Sequence, residues 1–176
     1  MLWYWSIGLT LALLLCWVVG AYNRLVRLRA VALASFGALD AQWLHQLDLI
    51  KDSLSAQDAP PTEANAELQA KVQGAASQFN SALVYARAQP LSAPAIGALE
   101  AARDILNMVW LQQAAPKSLA REPADFLKAH WERVSLQTQQ AREAFNTAVA
   151  QYNSAISQYP ACMVAWVVNF QPARAL

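Results

Sequence analysis

The chain has 176 residues, 56% of them hydrophobic and 14% charged, with 13 basic and 12 acidic side chains and a formal net charge of +1. This near balance excludes the broad basic footprint of a nucleic-acid-binding domain, and the charged share is far below the roughly 25% of an ordinary soluble domain. No charged side chain occurs between Met1 and Asn23, and about 150 residues remain beyond that stretch, enough for one domain with a core.

The first element, "LWYWSIGLTLALLLCWVVGAY", offers about 20 uncharged residues, which as a helix span about 30 Å, the thickness of a hydrocarbon core. Trp3, Tyr4 and Trp5 mark one interface, and Trp17 and Tyr22 approach the other. A cleaved signal would need a basic start and a small-residue cleavage site, and the stretch has neither. Residues 1–22 therefore read as an uncleaved transmembrane anchor. Arg24, Arg27 and Arg29 follow it at once. Basic residues stay cytoplasmic, so the N-terminus is expected outside and the body in the cytoplasm. The same arginines suit anionic lipid headgroups. Within the anchor, Gly8, Ala12, Cys16 and Gly20 recur every four residues, and stripes of small residues let transmembrane helices associate closely.

The body, residues 23–160, is punctuated by prolines at 60/61, 90/94, 116/123 and 160, with one more at 172. Leu25, Leu28, Ala32, Phe36, Leu39, Trp43, Leu47, Ile50 and Leu54 keep the helical period without a break after the anchor. This predicts one rod of about 55 residues and roughly 80 Å. A second helix is expected from about Thr62 to Gln89. A third opens at Ser92 or Ala93, with Pro94 in its first turn, and ends before Pro116. A fourth runs from about Glu122 to Tyr159. No strand-like alternation is sustained, so the fold class is all-α: an antiparallel bundle whose first helix continues the anchor.

The fourth helix carries "AREAFNTAVAQYNSAISQYP". Trp131, Thr138, Phe145, Tyr152 and Tyr159 form one seven-residue row, the spacing of a buried, coiled-coil-like seam. Asn146 and Asn153 sit one step beyond it, where an amide either bonds a neighbouring helix and fixes register or is solvated. Pro160 ends the helix. If Tyr22 and Tyr159 lie at one height, facing residue numbers on the first and fourth helices sum to about 181, which puts Phe36 beside Phe145 and Asn146 near Ser35. The remaining 161–176, with Trp166 and Phe170, read as an apolar tail lying against the membrane interface or wedged between subunits.

The residues of these two blocks resemble the LemA family. The first is "YNRLVRLRAVALASFGALDAQWLHQLDLI", with Tyr22, Asn23, Phe36, Asp40 and Asp48 among its matches. In the second the matches include Arg142, Asn146, Tyr152, Asn153 and Pro160. Phe145 stands where the family usually has Tyr, and Leu44, His45 and Gln46 stand where it often has basic residues. Residues 51–120 match only in helical character. The resemblance implies an N-terminally anchored helical bundle of the bacterial inner membrane, with no transferable catalytic residues.

Chemistry is hard to assemble from what remains. His45 and His130 lie on different helices without metal-ligand spacing, and Cys16 and Cys162 form no CxxC pair. Asp40 and Asp48 are about 12 Å apart along one helix, too far for one helix to present a catalytic pair. All five glycines are isolated, so no phosphate loop exists. No enzyme activity, cofactor or metal is expected. The expected role is a self-associating, membrane-anchored scaffold that organises membrane or partners. The alternative is a monomeric adaptor that binds another membrane protein.

Overall fold

A computed structural model describes residues 2–55, 63–114, 123–159 and 161–176. Pro60, Pro61, Pro116 and Pro160, which the sequence uses as helix stops, lie outside them. The described residues form five helices and no strand: α1 Leu2–Ser55, α2 Glu63–Ala88, α3 Ala93–Ala114, α4 Pro123–Ser157 and α5 Ala161–Val167. The first four match the expected segments. The seven-residue α5 was not foreseen, because the apolar tail offers no helical period long enough to read.

α1 is a single helix of 54 residues. From Trp3 to Gly20 it is exposed on every side; Ala21 is half-buried and Leu25 is the first buried position. Beyond that point Ala32, Phe36, Leu39, Trp43, Leu47 and Ile50 are buried one turn after another, as the periodicity requires. α1 is therefore two things end to end: an unpacked apolar rod, then the spine of a bundle.

α4 packs antiparallel along this spine. The rings of Phe36 and Phe145 meet edge to face at 5.8 Å, at the register expected from the sequence. Further out, His45 lies 5.9 Å from His130. Their numbers sum to 175, so the register slips toward the distal end. α2 and α3 form a hairpin that contributes Val72, Phe79, Leu83, Ile96, Leu99 and Leu106 to the same core. The main-chain N–H of Ile96 donates to the Ser92 carbonyl, which makes Ser92 the N-cap of α3. Trp43 sets its edge against Phe79, and the Trp110 and Trp131 rings meet at 4.9 Å, tilted by 33°, joining the hairpin to α1 and α4.

The hairpin stops short of the apolar rod. Arg87, at the end of α2, binds both carboxylate oxygens of Asp40 through Nε at 2.9 and 3.0 Å. Asp40 stands about 27 Å along α1 from Tyr22. The proximal flank of α1 and α4 is instead covered by α5 and the segment after it. The path of the tail is not foreseen by the sequence: after α5 the chain reverses, and Ala173 and Leu176 enter the main core.

Candidate functional site

The chain's most specific recognition geometry lies on α4. Thr138, Phe145 and Tyr152 are buried and Trp131 is half-buried, as a seam demands, but Tyr159 is 82% exposed and leaves the row at the helix end. Beside the seam, Asn153 Nδ2 donates to the Ala173 carbonyl and the Ala173 N–H donates to Asn153 Oδ1, both at 2.8 Å. Asn146, seven residues earlier on α4, repeats the arrangement with Leu176, three residues further along the tail. Its Nδ2 donates to the main-chain oxygen of Leu176 at 2.6 Å, and the Leu176 N–H donates to Oδ1 at 2.8 Å. Between them, the Tyr152 hydroxyl donates to the Gln171 carbonyl at 3.0 Å.

This overturns both sequence readings of the two asparagines: they neither bridge to α1 nor stand in water. Each presents its amide as a neighbouring strand would, pairing with the N–H and C=O of one residue. The heptad spacing follows from length. Seven helical residues rise about 10.5 Å, and three extended residues cover about 10 Å. Two amides seven apart on a helix therefore meet an extended chain at every third residue.

The reversal that delivers the chain to this clamp is built by Asn169. Its φ of 56° is left-handed, a conformation that Asn tolerates better than most side chains. The Phe170 N–H donates to the Ala165 carbonyl at 2.8 Å and the Asn169 N–H to Trp166 at 3.2 Å, the paired bonds that close a helix C-terminus. Pro172 follows and cannot resume the helix. Phe170 then turns inward. It stacks on Tyr22 at 6.4 Å, meets Tyr152 at 6.5 Å and lies 5.9 Å beneath the Arg29 guanidinium. It is half-buried there, packed against the cluster of Leu25, Ala155, Val164 and Ala165.

The family model for the LemA family matches residues 38–176, covering α4, the clamp and the whole tail. The chain belongs to the LemA family. The matched range includes 51–120, where the sequence resembles the family only in helical character, and the whole of the "AREAFNTAVAQYNSAISQYP" block, and it begins beyond the "YNRLVRLR" stretch. No curated protein and no solved structure matches the chain.

A second junction in this LemA-family chain ties α3, α4 and the tail together. Glu100 Oε2 accepts from Arg174 Nη2 at 3.1 Å, and Arg142 Nη2 lies 4.0 Å from Oε1. Burial, followed by repulsion from Arg142, lowers the pKa of neighbouring Arg103. Gly97 is where the Arg174 guanidinium lies: an added Cβ would stand 2.9 Å from Nη1. Arg142 was expected from the family pattern, but its junction with Glu100, Gly97 and Arg174 was not. The only sequence signal was an isolated glycine inside a helix.

Gly8, Ala12, Cys16 and Gly20 are exposed on the unpacked rod, and a Cβ on Gly8 or Gly20 would meet nothing within 4 Å. Asn23, Arg24 and Arg27 are exposed just beyond it. Asp40 pairs with Arg87 and Asp48 with Lys51. His45 and His130 do meet, yet among the described residues no three metal-ligand side chains gather. What the arrangement does chemically is recognise main-chain amides.

Proposed function

We propose that this LemA-family chain is a membrane-anchored helical scaffold that self-associates and organises membrane or partner proteins, without catalysis of its own. One observation carries the reading: Trp3 to Gly20 form an apolar helix exposed on all sides, joined without a break to a packed bundle. Such a surface needs lipid, other copies of the chain, or both to cover it. The stripe Gly8, Ala12, Cys16 and Gly20 is the contact between copies, because its small side chains let backbones approach. Arg24 and Arg27 hold the body on the cytoplasmic face of the bacterial inner membrane.

The test is the size of the detergent-extracted particle. A discrete homo-oligomer is expected, falling in size when Gly8 and Ala12 are replaced by Leu. Size unchanged by that replacement would remove the stripe from the proposal. A monomer in wild-type extracts, or a stoichiometric complex with another membrane protein, would favour the adaptor reading. A C-terminal phosphatase fusion active outside the inner membrane would reverse the orientation.

A further inference from the structure

We propose that α5 is a second membrane contact: an interfacial foot whose outer face sits in the headgroup layer at the base of the anchor. The inference rests on the reading of 1–22 as a membrane span and adds to it a separate place where the body touches lipid.

The helix has two faces. Val164 and Ala165 are buried with Ala21 and Leu25 of α1 and Ala155 of α4. Met163, Trp166 and Val167 occupy the opposite face at spacings of three and four, exposed by 60%, 84% and 74%. Tyr159, just before α5, is also turned out. An indole and two further apolar side chains are thus held outward by a helix whose other side is locked in a core, with the Tyr159 ring exposed just before it.

Three relationships make lipid the occupant. The first is level: α5 packs on Ala21 and Leu25, where α1 changes from exposed on every side to packed. A bilayer that covers residues 3–20 ends where this foot begins. The second is charge: Arg24 and Arg27 are exposed at the same height, complementary to anionic headgroups. The third is residue type. Trp and Tyr favour the boundary between hydrocarbon and water, where the ring is buried and its polar atom stays wet. Phe170 stacked on Tyr22 and the clamp on α4 brace the foot against α1, so the rod meets the membrane at two points rather than one.

The test uses the full chain in vesicles of phosphatidylethanolamine and phosphatidylglycerol, in a Cys16→Ala, Cys162→Ala background. Nitroxide labels are placed one at a time at Met163→Cys, Val167→Cys, Leu13→Cys and Glu143→Cys, and collisions with oxygen and a water-soluble nickel chelate are measured. The expected result is a deep label at 13, a fully aqueous one at 143, and a marked loss of nickel collisions at 163 and 167 relative to 143. Labels at 163 and 167 as aqueous as 143, with 13 deep, would overturn the foot while leaving the anchor standing. An aqueous label at 13 would overturn the anchor and the foot with it.

Discussion

Asn153 and Ala173 exchange two hydrogen bonds of 2.8 Å, side-chain amide to backbone amide, across nineteen intervening residues of chain. With the matching pair at Asn146 and Leu176, this joins the last extended segment to α4 in one register. Ordering a backbone residue costs about 1–2 kcal/mol, and a hydrogen bond returns about 0.5–1.5 kcal/mol net. The amides alone do not hold the tail. Burial of Ala173, Leu176 and Phe170 adds the remainder, and the asparagines decide where the chain lies.

Replacing Asn146 or Asn153 with Ala is expected to destabilise the protein by about 1–3 kcal/mol each, since main-chain groups lose their partners. Asn153→Asp is the sharper variant. Its carboxylate keeps an acceptor for the Ala173 N–H but faces the Ala173 carbonyl without a proton. Thermal melting should show N153D weakened at neutral pH and partly restored in acid, where the protonated group can donate again. Equal melting of N153D and wild type at pH 7 would contradict the geometry.

Phe145→Ala should cost about 3–5 kcal/mol, because the ring is completely buried. A double-mutant cycle with Phe36→Ala isolates the ring–ring contact, for which about 0.5–1.5 kcal/mol of coupling is expected. Additive denaturation energies would mean the rings do not meet in solution.

That pair also marks what could be read from the sequence. Apolar period and proline punctuation placed four helices, and an antiparallel return placed Phe36 on Phe145. Those rules see neighbours along a helix and the distance between its ends. They do not see an extended segment crossing a helix, because such a segment has no period of its own. The spacing therefore singles out Asn146 and Asn153 as a pair but offers only a neighbouring helix or water as partner, where the structure supplies the main chain of the tail. The fold-back of Phe170 is not legible because nothing in "AWVVNFQP" announces a reversal except Asn169, a residue type that can end a helix or hydrogen-bond within a loop. Gly97 made sense only once Arg174 lay over it.

Gly97→Ala sets two effects against each other. Alanine raises helix propensity by about 1 kcal/mol, while displacing Arg174 weakens a half-exposed ion pair worth about 0.2–1 kcal/mol. The variant should fall within about 0.5 kcal/mol of wild type, with added salt changing its stability less than that of wild type. Loss of folding on this substitution would mean that the clash is with something stiffer than an arginine tip.

Burial raises the pKa of Tyr152 above its ordinary value, with Arg29 opposing the shift. The raised folded value makes its contribution to stability fully present below about pH 10 and lost as pH rises through the folded pKa. Alkaline unfolding should therefore shift upward in Tyr152→Phe, which removes the ionisation, even though that variant gives up the bond to Gln171 at neutral pH. An alkaline limb identical in the two proteins would assign the transition to another group.

The most direct test of the account is amide hydrogen exchange at the tail, measured on the full chain in detergent. Ala173 and Leu176 donate their N–H groups to Asn153 and Asn146, so both should be strongly protected in the wild type. Protection of Ala173 should fall in Asn153→Ala and that of Leu176 in Asn146→Ala, while amides at the centre of α4 change little. Exchange of both tail amides at the rate of an unfolded chain in the wild type would contradict the clamp.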